Sequence, residues 1–84
     1  MIANVERILD LSRLRDTVIS GRAREIREAA HITQGDVASA CGVTRGAVAS
    51  WEAGRRLPQE RELALRYLGL LDALERQQRE RGDG

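Results

Sequence analysis

Residues 34–53 read QGDVASACGVTRGAVASWEA, and this stretch decides the fold. Its apolar side chains recur at helical spacing in two runs, which are Val37, Ala38 and Cys41 and then Val48 and Trp51. Side chains at this spacing line one face of each of two helices. The stretch therefore predicts two short helices, over 34–41 and 44–52, that face each other through their apolar sides.

A tight turn is predicted between these helices. Gly42 stands where the first helix should end, and glycine adopts a left-handed backbone at little steric cost. Thr44 then serves as the N-cap of the second helix, as Thr33 does for the first. Ala38 is small enough to let the two helices approach closely. Two helices joined in this way form a helix-turn-helix, a unit that lays its second helix in the major groove of DNA.

Three further helices are predicted around this unit. An extra N-terminal helix should cover 4–19 and a short second helix 22–30. Pro58, placed in a first helical turn, predicts a long C-terminal helix over 59–80. No segment reads as a strand. The predicted fold is all-α: a small bundle of about five helices.

Length and composition agree with this fold. The 84 residues make one small domain, 1–84, with its core at 22–58. Hydrophobic residues make up 42% of the chain but aromatic ones only 2%, which favours helices packed through Leu, Ile, Val and Ala. No apolar run is long enough to span a bilayer, and no signal peptide is recognisable. We therefore expect a cytoplasmic protein without a membrane partner.

Charge is distributed unevenly along the chain. The formal net charge is only +1, and every basic residue is Arg. Residues 22–58 hold six Arg against four acidic residues, whereas residues 59–84 hold five against six. Arg contacts phosphate and guanine in a bidentate manner that Lys cannot match. A GC-rich genome, which favours Arg codons, would explain the same usage.

The motifs of the central region agree in register with one another. They are Ile-Arg at 26–27, Ile-Thr-Gln at 32–34, Val-Ala at 37–38, Gly-Val-Thr at 42–44, Val48, Trp-Glu at 51–52, Gly54 and Pro58. On these residues the chain resembles the Cro/repressor (XRE-like) helix-turn-helix family of phages and bacteria, which implies a lambda-repressor-like DNA-binding domain. The chain departs from the family at His31, where a glycine is usual between the first two helices. The N-terminal and C-terminal helices also lie outside the shared core.

The resemblance implies that the recognition helix, 44–52, reads bases. Arg45 matches a base-reading position, and Arg bidentate to guanine is the commonest specific contact. Gly46 would let the helix backbone approach the bases, Ala49 would touch a thymine methyl, and Ser50 would contact a base edge. So few hydrogen-bonding side chains suggest that DNA shape contributes to specificity. A phosphate contact or a solvated charge is the alternative for Arg45.

A second set of residues is expected to contact phosphates, since helix N-termini and Arg side chains both attract anions. Its members are Gln34, Thr44, Arg55, Arg56, Arg22 and Arg24. For each of them, a polar side chain satisfied by water is the alternative.

One carboxylate, Glu52, would repel DNA if it were unpaired. The resemblance implies a salt bridge between Glu52 and Arg27 that ties the recognition helix to the scaffold. Solvated surface charge is the alternative. Trp51 is expected to pack in the core.

The partner predicted from these features is an operator in double-stranded DNA. One helix-turn-helix reads few base pairs, so a homodimer on DNA is expected. The apolar stripe of the last helix or the N-terminal helix would form its interface, unless the two helices simply pack on each other. With a single His and a single Cys, no metal site, cofactor, small-molecule site or catalytic set is legible, so an enzyme is not expected.

The predicted function is therefore a Cro- or repressor-like regulator of transcription. An antitoxin that binds a toxin partner and regulates its own operon is the alternative. A DNA-bending excision factor fits less well, because that class usually reads DNA through a winged motif with strands.

Overall fold

The computed structural model describes residues 2–83, and over that range it contains five helices and no strand. The helices are α1 (Ile2–Ile19), α2 (Arg22–Ala29), α3 (Gln34–Cys41), α4 (Arg45–Glu52) and α5 (Arg61–Asp83). The all-α prediction is confirmed. None of these helices has both the length and the apolar character needed to cross a membrane.

Buried side chains from all five helices form a continuous core. They are Leu14, Val18, Ala23, Ile26, Val37, Ala38, Cys41, Val48, Trp51, Ala64, Tyr67, Leu68, Leu71 and Leu74. Trp51 and Tyr67 pack with their ring centroids 4.8 Å apart and their planes inclined at 44°. Aromatic pairs favour such tilted geometry. Because Trp51 belongs to α4 and Tyr67 to α5, the contact holds the end of α4 against the long last helix.

Local capping sets where α3 and α4 begin. The Thr33 hydroxyl accepts a hydrogen bond from the backbone N–H of Asp36 at 3.0 Å, and the Asp36 carboxylate accepts one from the N–H of Thr33 at 3.1 Å. This reciprocal pair is a capping box. The Thr44 hydroxyl accepts from the N–H of Ala47 at 3.1 Å. Both helices therefore start directly after their threonines.

Left-handed residues end α2, α3 and α4. Gly42 follows α3 with φ 72°, and Gly54 follows α4 with φ 73°. The residue in the matching place after α2 is His31, with φ 59°. The turn after α3 brings Val43 back over that helix, where its N–H donates to the carbonyl of Ala38 at 2.9 Å. This turn sets the start of α4 next to α3.

The beginning of α5 differs from the prediction. The helix starts at Arg61 rather than at residue 59, so Pro58 does not lie in its first turn. Pro58 is buried and Leu57 packs on the core, so the connection stays against the core before the chain enters the helix. Glu60 is the residue whose carbonyl accepts the first helical hydrogen bond, from the N–H of Ala64. The helix also continues past residue 80, to Asp83.

The N-terminal helix has apolar side chains on two opposite sides. Leu14 and Val18 are buried, and α1 is joined to α5 by an ion pair between Arg13 and Asp72 at 2.7 Å. Four of its other apolar side chains are largely exposed: Val5 is 58% exposed, Ile8 65%, Leu9 59% and Ile19 71%, whereas Leu11 is 36% exposed. At 100° per residue Val5 and Leu9 lie opposite Leu14 and Val18, whereas Ile8 and Ile19 lie about 100–120° around the helix from that buried side. We call the four largely exposed residues the outer face of α1.

Candidate nucleic-acid interface

Helix α4 buries one side and presents the other. Val48 is fully buried and Trp51 nearly so. Gly46, Ala49 and Ser50 lie on the opposite side of the helix; Gly46 is exposed, and the other two are half-buried. The helix is thus a ridge whose apolar side packs against the rest of the fold.

Two open clefts run beside this ridge. The first, of about 770 Å³, lies between α4 and the turn that joins α2 to α3, and the side chains that line it include Arg24, Gln34 and Arg45. The second, of about 320 Å³, is lined by the start of α4 together with Ser50 and Arg56. The structure therefore brings most of the predicted base-contacting and phosphate-contacting residues to the two sides of one helix.

Two of the predicted phosphate contacts lie elsewhere. Arg22 faces α5, where its guanidinium pairs with Glu75 at 2.6 Å, and it also approaches Glu25 at 3.5 Å. The bond to Glu75 raises the pKa of Arg22. Arg55 lies between α4 and α5, at a third cleft that it shares with α1. The partner of Arg22 is 53 positions away in the chain, so no local pattern revealed it.

Glu52 is held inside a network of donors. The Arg27 guanidinium donates to its two carboxylate oxygens at 2.5 and 3.0 Å, and Gln34 donates to one of them at 3.1 Å. Both ion-pair side chains are largely buried, with Arg27 11% and Glu52 4% exposed. Arg27 also donates to the backbone carbonyl of Ile32 at 2.9 Å. The expected ion pair is thus present and joins α2 to α4. Through Gln34, the same network also includes α3.

This network neutralises the negative charge that Glu52 would otherwise add to the surface of α4. The hydrogen bond to Glu52 raises the pKa of Arg27, so the guanidinium stays charged at any physiological pH. The only carboxylate on α4 is therefore neutralised by a partner inside the protein. Gln34 uses its amide nitrogen in bracing Glu52, and the residue also lines the first cleft.

One residue of the first cleft was missed among the predicted contacts. His31 and Arg45 both line this cleft, and His31 lies just past the end of α2. Its position was flagged only as a departure from glycine, which concerned the shape of the turn. The structure identifies His31 as a surface residue, because its side chain is exposed.

Comparison with known families gives one match. The helix-turn-helix family profile matches residues 24–65, which is half of the chain and spans α2, α3, α4 and the first turn of α5. No curated protein and no solved structure matches. The matched family is a DNA-binding one and is not catalytic. With its capped helix pair, its exposed α4 ridge and this match, the chain belongs to the Cro/C1-type helix-turn-helix family of DNA-binding proteins.

Proposed function

We propose that the protein is a sequence-specific regulator of transcription, similar to Cro or a repressor, that binds operator DNA through α4. Repression by blocking access of RNA polymerase is the simplest mechanism consistent with such binding. The observation that carries this proposal is the position of Arg45. It lies in the first turn of α4, exposed and lining the first cleft, and it pairs with no carboxylate of the described residues.

Arg45 contrasts with the other Arg residues of the first cleft. Arg27 is committed to Glu52, and Arg24 pairs with Glu28 at 3.2 Å. The Arg45 guanidinium therefore has its donors available for a base edge, where it can bond the O6 and N7 atoms of guanine. With Glu52 neutralised, no carboxylate of α4 opposes the approach of a phosphate backbone.

Selection of bound sites from random DNA tests this proposal directly. The wild-type protein should enrich a motif, and Arg45→Ala should lose preference at one base position, with a cost of about 1–3 kcal/mol there. Arg76→Ala is the matched control, because Arg76 is exposed on α5 and lies outside both clefts. Its selected motif should equal that of the wild type. Equal recovery of all sequences by the wild-type protein would refute specific regulation.

Phosphate contacts predict a different signature. Arg56 lines the second cleft, so Arg56→Ala should weaken binding to every sequence alike and lower the slope of log K against log salt by about 0.9. Arg55→Ala tests whether the neighbouring side chain, which lies at the third cleft, reaches the backbone as well. A change in the selected motif for Arg56→Ala would show that this residue reads bases instead.

We further propose that two copies bind DNA together through the outer face of α1. None of the described side chains from Val5 to Leu9 is buried, and a helix segment this short is marginal in water unless something packs on it. A second copy of the chain is the occupant that DNA reading itself requires, because one recognition helix contacts few base pairs. Four aliphatic side chains can bury less surface area than the ~800 Å² that each partner buries in a stable complex. The dimer should therefore be weak in solution and strengthened by an operator with two half-sites.

Substitution of one outer-face residue tests this arrangement. Ile8→Glu should reduce the binding of two copies to a two-half-site duplex, as measured by native mass spectrometry, without changing binding of one copy to a half-site. Leu65→Glu is the control, because Leu65 is an exposed apolar residue of α5, 37% accessible. Unchanged two-copy binding by Ile8→Glu would refute the α1 dimer. Monomeric wild-type protein on DNA would also refute it, and would leave the outer face to another protein, as the antitoxin alternative predicts.

A further inference from the structure

Helices α2, α3 and α4 end in the same hydrogen-bonding motif. In each, the residue after the left-handed position donates its N–H to a carbonyl five positions earlier, and the left-handed residue donates to a carbonyl three positions earlier. This pattern is the Schellman motif. After α2, the donors are Ile32 and His31, and the acceptors are the carbonyls of Arg27 and Glu28, at 3.2 and 3.0 Å.

His31 is the exception among the left-handed residues. The other two Schellman motifs use Gly42 and Gly54, which take the positive φ angle without steric cost. A side chain with a β-carbon is strained in this conformation. Strained backbone positions occur preferentially at sites of function, where the side chain compensates by what it contacts. The chain thus places a bulky side chain at the one helix end of this kind that borders the first cleft.

The surroundings of His31 favour an anion. The charged residues that line the cleft are Arg24, Arg27 and Glu28 from α2 and Arg45 from α4. Glu28 is paired with Arg24, and Arg27 with Glu52. The N-terminus of α3, which attracts negative charge, also opens into the cleft at Gln34, and the Asp36 carboxylate of its first turn accepts from the N–H of Thr33. Among the basic side chains that line the cleft, Arg45 and His31 are the two that pair with no carboxylate of the described residues.

We propose that His31 is a phosphate-contacting residue of the DNA interface, and that its protonated imidazole adds one ionic contact to the DNA backbone. This inference rests on the proposed DNA binding through α4. Histidine is the side chain that ordinarily changes charge between pH 5 and 8, and His31 is the only histidine of the chain. An ionic contact of this kind exists only while the imidazole carries its second proton.

The salt dependence of DNA binding at two pH values tests the proposal. The probe is a fluorescent duplex of mixed sequence, about 30 base pairs long so that it holds two half-sites. For the wild type, the slope of log K against log salt should be steeper by about 0.9 per bound copy at pH 5.5 than at pH 8. Between 50 and 200 mM salt, this difference corresponds to a further loss of affinity of about threefold at pH 5.5.

Two variants separate the contact from the fold. His31→Asn keeps a residue that tolerates the left-handed conformation but cannot be protonated, so its slopes at the two pH values should be equal. His31→Gly should bind as weakly as His31→Asn at pH 5.5, although its melting temperature should equal or exceed that of the wild type because the strain is relieved. A lower affinity together with a more stable fold cannot arise from misfolding.

The outcomes distinguish this inference from the proposed function. Equal slopes for the wild type at pH 5.5 and pH 8, or a pH-dependent slope that persists in His31→Asn, would overturn the role of His31 while DNA binding through α4 stands. Failure of the wild type to bind the duplex at both pH values would overturn the proposed function and this inference with it.

Discussion

Replacement of Arg27 with methionine is the sharpest test of how the recognition helix is held. Methionine fills a similar length of space but removes both hydrogen bonds from the guanidinium to Glu52 and the bond to the carbonyl of Ile32. Glu52, only 4% exposed, is then left as a carboxylate without a positive partner. A buried charge without its counter-ion strongly destabilises the folded state.

The size of the effect follows from this geometry. Breaking a buried ion pair from one side costs about 3–5 kcal/mol. Gln34 still donates to Glu52 at 3.1 Å, which places the expected loss near the lower end, at about 3 kcal/mol. A chain of this length has a free energy of unfolding of roughly 4–13 kcal/mol. The variant should therefore stay folded with a much reduced margin, and its Tm should fall by about 12–24 °C.

Urea unfolding followed by the fluorescence of Trp51, the only tryptophan, measures this loss. The double variant Arg27→Met/Glu52→Gln should recover most of the stability, because it removes the unpaired charge. A single variant within 0.5 kcal/mol of the wild type, which is the usual range for a surface substitution, would refute the reasoning. A double variant no more stable than the single one would refute it too.

Three further predictions concern the scaffold. Thr33→Ala removes the capping box of α3 and should lower the free energy of unfolding by about 1 kcal/mol. Thr17→Ala, in the last turn of α1, removes no N-cap and should cost less; urea midpoints compare the two. Burial raises the pKa of the Tyr67 hydroxyl, so the folded state keeps this proton at a pH where the unfolded chain releases it. The wild type should therefore lose about 1.4 kcal/mol of stability per pH unit above pH ~10, and Tyr67→Phe should lack that contribution. At pH 7, Tyr67→Phe should be as stable as the wild type or more so by about 1 kcal/mol, because the hydroxyl has no hydrogen-bond partner among the described residues. Burial likewise raises the pKa of the Cys41 thiol, so Ellman's reagent should modify it only as fast as the protein opens; fast modification of the folded protein would contradict this burial.

The sequence by itself determined the helix pair at the centre of the protein. The start of α3 depends on Thr33 and Asp36, the end of α3 on Gly42, and the start of α4 on Thr44, and all of these act through hydrogen bonds or backbone angles within a few residues. Interactions of such short range can be recognised from the order of residues along the chain. The exposed side of α4 follows equally from the positions of Val48 and Trp51 in one helical period.

The start of α5 could not be inferred in the same way. Pro58 is compatible with a first helical turn. In the structure, however, Pro58 is buried against the core and the chain stays irregular until α5 begins at Arg61. The partner of Arg22 was equally out of reach, since Glu75 approaches it only because α2 packs on α5. His31 and Arg45 line one cleft for a similar reason: the turn after α2 and the start of α4 meet at this cleft in space and not in sequence.

Tertiary structure alone decided which side of α1 is covered. The apolar residues of this helix occupy two opposite sides, so helical periodicity identifies them without saying which side meets the core. Packing against α2 and α5 selects the side of Leu14 and Val18 and leaves Val5, Ile8 and Leu9 in contact with solvent. Patterns along the chain report what each helix is able to bury, whereas the arrangement of the neighbouring helices determines what it does bury.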